Sequence, residues 1–137
     1  MNSSNVTRLR PQIAPSLLVV EDEVLTRFTI ADELRACGFK VLEASNADDA
    51  VTILETLPVH LVFADVCIPG RRSGIDVAQV ARALRPAPHV ILTSGRVRAE
   101  DIPELPQIGS FVPKPYSLSQ VVDLVRRTLD PTSDPVG

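Results

Sequence analysis

Aromatic residues and cysteines are scarce in this chain of 137 residues. It has no tryptophan, one tyrosine and four phenylalanines, and these form no basic–aromatic pattern on which nucleic acid bases could stack. Its two cysteines, Cys37 and Cys67, form no CxxC pair. We therefore expect both to be small buried side chains of a protein in a reducing compartment rather than partners in a disulfide.

The sequence also lacks a long apolar run and a large excess of one charge. With 14 basic and 17 acidic side chains, its net charge of −3 gives no electrostatic reason to expect a nucleic acid or an anionic membrane as partner. No apolar run approaches the roughly 20 residues of a membrane span. The first residues carry Arg8 and Arg10 without the apolar core of a secretory signal, so we expect a cytoplasmic protein.

Short apolar runs alternate with helical patterns along most of the chain. The predicted strands cover about 17–21, 40–44, 59–64, 89–93 and 109–113. Helices are predicted between them, and nearly all-apolar strands in such an alternation favour a parallel sheet covered on both faces. We expect one domain over residues 16–130, with polar tails at 1–15 and 131–137 and no room for a second domain.

Local signals mark where several helices begin and end. Gly38 stands where a glycine commonly ends a helix, and Asn46 is a predicted N-cap. Ser117 and Gln120 form a predicted capping box for the last helix. Between the fourth and fifth strands, Pro103 and Pro106 allow one or two helical turns at most. We therefore expect residues 96–108 to be a mobile loop with few backbone hydrogen bonds.

Ionisable side chains stand where the predicted strands end. Glu21 and Asp22 follow the first strand, Asp65 follows the third and Lys114 follows the fifth. In open α/β sheets, ligand sites lie at the carboxyl ends of the strands. Adjacent carboxylates there repel one another unless a cation is present, and Mg²⁺ prefers such oxygen ligands. Alternatively, Glu21 and Asp22 only stabilise the N-terminus of the following helix.

Asp65 ends an otherwise apolar strand, so rigid backbone should fix its carboxylate. A carboxylate nucleophile in such a place can form an aspartyl-phosphate. The alternative is a capping role for the next helix, but Ser73-Gly74 supplies a better cap.

Lys114 lies between two prolines, which is unusual for a solvated surface lysine. The Lys114–Pro115 bond is a candidate cis peptide. Its ammonium can neutralise carboxylate or phosphoryl oxygens, and the Ser94 hydroxyl can bind a phosphoryl oxygen. The alternative for Ser94-Gly95 is an ordinary turn.

Five sequence segments, in this order, resemble the receiver domain of two-component response regulators. They are LLVVEDE (17–23), LVFADVCIPG (61–70), SG (73–74), VILTSG (90–95) and FVPKPY (111–116). The resemblance covers residues 16–130. The segments LTSGR and PKPY are similar to those of stand-alone receivers. It implies a flavodoxin-like (βα)5 three-layer sandwich whose parallel five-stranded sheet has the order 2-1-3-4-5.

The resemblance also implies a reaction and a set of site residues. Asp65 would accept a phosphoryl group from a phosphohistidine of a sensor histidine kinase or phosphotransfer protein. Glu21, Asp22 and Asp65, with the main-chain carbonyl of Cys67, would hold Mg²⁺. Ser94 and Lys114 would contact the phosphoryl oxygens.

The resemblance also implies that Ser94 and Phe111 are the pair of residues that changes conformation on phosphorylation. Taken as a whole, the resemblance predicts a single-domain response regulator of a phosphorelay that changes protein partners and does not act on an external metabolite.

Two rival functions remain open on the same residues. The first is a receiver-like binding module that works without phosphorylation. The presence of the complete set of acids, together with Ser94 and Lys114, argues against it. The second is a phosphatase of the haloacid dehalogenase type. Such an enzyme needs a second aspartate two residues after its nucleophile on the first strand, whereas Val66 and Cys67 follow Asp65 on the third. A flavodoxin would have a hydroxyl-rich phosphate loop after the first strand, where this chain has three acids.

Overall fold

A computed structural model describes residues 14–131, which form five strands and five α-helices. The strands are β1 (Ser16–Val20), β2 (Lys40–Ala44), β3 (Leu61–Asp65), β4 (His89–Ser94) and β5 (Ser110–Pro113). The helices are α1 (Val24–Ala36), α2 (Ala47–Thr56), α3 (Gly74–Ala83), α4 (Leu105–Ile108) and α5 (Leu118–Leu129), with a 3-10 helix at Ala99–Asp101. The predicted tails lie almost entirely outside the described residues.

All strand pairs are parallel and the sheet order is β2-β1-β3-β4-β5, which confirms the predicted flavodoxin-like fold. Successive side chains of a strand point to opposite faces. Leu17 and Val19 accordingly pack in a core with α1 and α5, whereas Leu18 and Val20 pack in a second core with α2 and α3. Both faces of the sheet are thus covered, as a parallel sheet requires. No helix within residues 14–131 is long and apolar enough to cross a membrane.

The predicted helix ends agree with the structure. Asn46 accepts the Asp49 N–H at 2.8 Å and caps α2. Ser117 and Gln120 form the capping box of α5. Gly38 has φ +99°, and its N–H donates to the Arg35 carbonyl at 2.9 Å just beyond α1. Each of these short-range signals correctly marks one end of a helix.

The prediction that residues 96–108 form few backbone hydrogen bonds is wrong. The 3-10 helix and α4 lie in this segment, and the Ile102 and Gly109 N–H groups donate to the carbonyls of Ala99 and Leu105 at 3.1 and 3.0 Å. Ile102 and Ile108 are buried in the core beside α3. Pro106 is tolerated because it lies in the first turn of α4, where no N–H is needed for an intrahelical bond. The expectation of only short helical turns is confirmed.

Only part of the apolar pattern of α1 faces the core. Ile30, Ala31 and Leu34 are buried, whereas Leu25 is 72% exposed and Phe28 is 57% exposed. The helical spacing therefore predicted the helix correctly but did not show which of its apolar side chains are covered.

Gly74 is expected to be the least replaceable glycine near the end of β3. A Cβ atom at this position would lie 2.1 Å from the backbone oxygen of Asp65. We expect Gly74→Ala to lower the free energy of unfolding by about 2–3 kcal/mol, because α3 must move away from β3 and this cost exceeds the better helix propensity of alanine. Urea unfolding followed by circular dichroism measures the change.

Gly95→Ala is the matched control, since a Cβ at Gly95 would only make an ordinary 3.5 Å contact with Lys114. We expect this substitution to change the unfolding free energy by less than about 0.5 kcal/mol. Equal stability of the two variants would contradict the close approach of α3 to β3.

Candidate functional site

Side chains from four neighbouring strands meet at one edge of the sheet. Glu21 and Asp22 follow β1, Asp65 ends β3, Ser94 ends β4 and Lys114 follows β5. With Cys67, these residues line a single open concavity of about 650 Å³. The sheet order is responsible, because β1 and β4 flank β3 and β5 lies beside β4. The structure thus brings together six of the eight predicted site residues and leaves Phe111 and Pro115 outside the lining.

The Lys114 ammonium joins the two buried acids of this concavity. Its Nζ lies 2.6 Å from Asp65 Oδ2 and 2.8 Å from Glu21 Oε1. Burial would lower the pKa of Lys114, but its hydrogen bonds to Asp65 and Glu21 outweigh burial and raise that pKa above its ordinary value. Lys114 is therefore a fixed positive charge against Asp65 at neutral pH. The Lys114–Pro115 peptide bond is cis.

The Asp65 carboxylate is held on both of its oxygens. Oδ1 accepts the Cys67 N–H at 2.9 Å, and Oδ2 receives Lys114. Its side chain is only 8% exposed. A carboxylate fixed in this way at the end of a buried strand is positioned to act as a nucleophile on a group entering the concavity.

Glu21 is buried beside Asp65, whereas Asp22, which also lines the concavity, is exposed. Burial raises the pKa of Glu21, against the opposing effects of its hydrogen bonds to Lys114 and to the Glu23 N–H. Asp22 makes no hydrogen bond or ion pair with any residue from 14 to 131. Glu23 caps α1 by accepting the Thr26 N–H, so neither Glu21 nor Asp22 is its N-cap, and a dipole interaction of these acids with the helix stays an alternative.

The oxygen atoms around the concavity fit the coordination chemistry of Mg²⁺. The Asp22 carboxylate and the Cys67 carbonyl accept no hydrogen bond from the described residues, so both have free lone pairs. The ionised carboxylates of Glu21 and Asp65 add further oxygen ligands. No three acidic, histidine or cysteine side chains within 14–131 are placed to hold an ion by themselves. Mg²⁺ suits such a site, because it usually keeps several waters and takes only one or two carboxylates.

Ser94 is buried and connects the concavity with the segment that follows β4. Its Oγ accepts the N–H groups of Arg96 and Val97, each at 3.0 Å, and lies 3.8 Å from Cys67 Sγ. The hydroxyl can still donate its own proton. Phe111 is half-buried on β5, packs against the core cluster that contains Leu18 and Val20, and pairs in register with Leu92 rather than with Ser94. A switching role for Ser94 and Phe111 stays a prediction.

The prediction that both cysteines are buried is wrong for Cys67, which is exposed, while Cys37 is half-buried. Cys67 lies between two apolar residues, but the strand has already ended at Asp65, so its side chain lies at the concavity rather than in the core. Both cysteines are free thiols.

No motif in the sequence singles out Arg96, yet this residue lines the concavity. Its position two residues beyond the end of β4 was the available signal.

Comparison with known proteins shows that these residues lie within a recognised protein family domain. The family model for the response regulator receiver domain matches residues 17–126. The transcriptional regulatory protein PdtaR of Mycobacterium tuberculosis is 34% identical over 113 residues, which cover 80% of this chain and 54% of that protein. The chain therefore spans about half the length of this relative.

Solved receiver structures show the same fold. The receiver domain of the hybrid histidine kinase CckA is 30% identical with a TM-score of 0.71, and the match covers 84% of this chain and 99% of that one. A CheY-like receiver from Methanospirillum hungatei JF-1 is 21% identical with a TM-score of 0.80, over 87% of this chain and 96% of the other.

Proposed function

This chain belongs to the response regulator receiver domain family, and we propose that its Asp65 carboxylate accepts a phosphoryl group from the phosphohistidine of a sensor histidine kinase or phosphotransfer protein. The observation that carries the proposal is the contact of one ammonium, that of Lys114, with both Asp65 Oδ2 and Glu21 Oε1. It places a permanent positive charge where an anionic group would arrive. An isolated pair of buried carboxylates would instead repel that group.

In the proposed step, a carboxylate oxygen of Asp65 forms a bond to phosphorus. The phosphorus–nitrogen bond of the donor histidine breaks, and its electron pair stays on the imidazole nitrogen. Lys114 and Ser94 neutralise and hydrogen-bond the phosphoryl oxygens, as charged and polar groups do in other phosphoryl transfers. Cys67 holds the acceptor carboxylate through its N–H.

Glu21, Asp22, Asp65 and the Cys67 carbonyl would hold Mg²⁺ in this site. The bound ion would neutralise charge on the phosphoryl oxygens. Before the ion binds, Lys114 is the cation that keeps Glu21 and Asp65 together.

The proposed output is a change of protein partner rather than a reaction on an external metabolite. Movement of Ser94 toward a phosphoryl group on Asp65 would alter its bonds to the N–H groups of Arg96 and Val97. These are the first bonds of the segment that leads to α4, so the change passes into that segment and, through Phe111, into β5. That this chain acts as a stand-alone component of a phosphorelay, and that it does so in the cytoplasm, stay predictions.

Phosphorylation by acetyl phosphate with Mg²⁺ tests the proposal directly. We expect the intact mass to rise by one phosphoryl group, and borohydride reduction followed by peptide mapping to locate the adduct at Asp65. Chelation of Mg²⁺ with EDTA before the donor is added is expected to prevent the adduct. An adduct mapped to another residue, or none in the parent protein, contradicts the assignment.

Asp22→Ala is expected to weaken Mg²⁺ binding by at least about tenfold, because it removes an oxygen ligand without disturbing any hydrogen bond of the fold. Amide chemical shifts of residues 21–23 and 65–67 during a Mg²⁺ titration measure the affinity. Asp32→Ala, at an exposed position of α1, is the control and should titrate like the parent. Equal affinities of the Asp22 variant and the parent would exclude Asp22 from the metal site.

A further inference from the structure

Arg27 on α1 is bonded to the turn that carries two of the proposed Mg²⁺ ligands, although it lies outside the lining of the concavity. Its Nη1 donates to the main-chain carbonyl of Glu21 at 2.9 Å, and its Nε donates to Glu43 Oε1 at 3.1 Å. Its side chain is only 19% exposed, which is low for an arginine. Arg27 is therefore a fixed part of the structure rather than a solvated surface charge.

The carbonyl that Arg27 binds belongs to the peptide unit between Glu21 and Asp22. A peptide unit is planar, so a bond that fixes its carbonyl also fixes the direction in which the next residue continues. The Glu21 carboxylate has further supports, because it accepts hydrogen bonds from Lys114 and from the Glu23 N–H. The Asp22 side chain makes no such bond within residues 14–131. The orientation of Asp22 therefore depends on the bond between Arg27 and the Glu21 carbonyl.

The charge of Arg27 is unfavourable beside a metal site unless another group compensates for it. An arginine stays ionised at all physiological pH values, and an isolated cation in this place would repel a divalent ion. Glu43 on β2 supplies the compensation, since its Oε1 accepts the Nε–H of Arg27. Its Oε2 lies 3.0 Å from Nη2 of Arg35, about two turns further along α1. Arg27 and Glu43 thus present N–H donors to the Glu21 carbonyl without a net charge.

We propose that Arg27 is a positioning residue for the Mg²⁺ site, that it acts through the peptide unit between Glu21 and Asp22, and that Glu43 holds it in place. This inference rests on the proposed Mg²⁺-dependent phosphorylation of Asp65. Arg27 lies outside the concavity, so it affects the ion through Asp22 and not by contact. By holding Asp22 in one orientation, it reduces the conformational freedom that this ligand loses when the ion binds.

Titration of Mg²⁺ against Arg27→Met, followed by the amide chemical shifts of residues 21–23 and 65–67, tests this role. Methionine keeps an unbranched apolar stem but has no N–H donor. We expect the affinity for Mg²⁺ to fall about tenfold, as it does when other groups that support metal ligands are lost. The direction of the change is diagnostic, because removal of a cation that acted only through its charge would strengthen Mg²⁺ binding.

Phosphorylation by acetyl phosphate at several Mg²⁺ concentrations gives a second measurement on Arg27→Met. The Mg²⁺ concentration for half the maximal rate should rise with the loss of affinity. The maximal rate itself should change by less than about twofold, because Arg27 contacts neither Asp65 nor Lys114. A fall in the maximal rate with an unchanged Mg²⁺ dependence would contradict a role in positioning the metal ligands.

Arg35→Met is the matched control. It removes the other arginine bound to Glu43 and leaves the bond between Arg27 and the Glu21 carbonyl intact. Arg35 donates instead to the Val41 carbonyl of β2 at 2.8 Å. We expect both methionine variants to unfold at slightly lower urea concentrations than the parent, since both lose bonds between α1 and β2. Only Arg27→Met should also lose affinity for Mg²⁺.

Arg27→Lys extends the test and takes the place of Arg27→Met if the methionine variant does not fold. An ammonium keeps the charge but lacks the planar fork that serves the Glu21 carbonyl and Glu43 together. We expect its Mg²⁺ affinity to lie about threefold below that of the parent. Equal affinities of Arg27→Lys and the parent would overturn the inference, because the charge of Arg27 rather than its hydrogen bonds would then be its contribution.

The outcomes separate this inference from the proposed function. If the parent binds Mg²⁺ and forms an adduct at Asp65, but Arg27→Met binds the ion equally or more tightly, Arg27 does not position the site and phosphorylation of Asp65 stands. An equal loss of affinity in Arg35→Met would also overturn the inference, because loosening of α1 against β2 would then explain it. If the parent binds no Mg²⁺ or forms no adduct at Asp65, the proposed function fails and the inference falls with it.

Discussion

Replacement of Asp65 by asparagine is expected to abolish phosphorylation by acetyl phosphate. The amide has nearly the shape of the carboxylate, and its oxygen can still accept the Cys67 N–H, but it is not a nucleophile toward phosphorus. Lys114 keeps its contact with Glu21, so the variant should fold. We expect the rate of adduct formation, measured by intact mass in the presence of Mg²⁺, to fall by at least about a hundredfold.

Asp123→Asn provides the matched control for this experiment. Asp123 is an exposed aspartate on α5, outside the residues that line the concavity. Its variant should accept the phosphoryl group at the parental rate. If Asp65→Asn and the parent acquired equal amounts of adduct, another residue would have to be the acceptor, and the burial and fixed geometry of Asp65 would need a structural explanation.

The part of this site that the sequence predicts depends on local patterns. Each apolar run that ends in a polar residue marks a strand and its end, and parallel strands place those ends on one edge. Asp65 and Ser94 could therefore be assigned to one site before the structure was considered. The sheet order, which makes β3 the neighbour of both β1 and β4, came from the resemblance to receiver domains, because local patterns do not specify which strands are adjacent.

What the sequence does not predict depends on long-range packing. The strand ends predicted that Lys114 lies near the acids, but no local signal specifies that it bonds to both Glu21 and Asp65, which lie 93 and 49 residues earlier in the chain. Leu25 and Phe28 have helical spacing like that of the buried Ile30, yet they are exposed because nothing in the described part of the chain covers them. The segment 96–108 carries two prolines, but the burial of Ile102 and Ile108 anchors it nevertheless.

Lys114→Ala is expected to retain phosphorylation of Asp65 but to lose the conformational response that phosphorylation causes in β5. Lys114 is the direct connection between Asp65 on β3 and the residues that follow β5. Without it, the Asp65 carboxylate remains held by the Cys67 N–H and should still accept a phosphoryl group in the presence of Mg²⁺. Phosphoryl oxygens would then have no bond to the end of β5, so Phe111 and its neighbours should no longer respond. The loss of this cation also leaves the buried Glu21 without its ion pair, with only the Glu23 N–H as donor, which should cost about 1–3 kcal/mol of stability.

Amide chemical shifts with and without beryllofluoride, which mimics a bound phosphoryl group, measure this separation. In the parent, we expect changes both at residues 65–67 and at residues 110–116, whereas in Lys114→Ala only the first set should change. The control is Lys40→Ala, since Lys40 is the other lysine of the chain and lies exposed at the start of β2, the opposite end of the sheet from the concavity. Shift changes at residues 110–116 as large in Lys114→Ala as in the parent would show that the signal reaches β5 by another route. The hydrogen bonds of Ser94 to Arg96 and Val97 would then be a candidate for that route, because they join the concavity to the segment that packs beside β5 through α4.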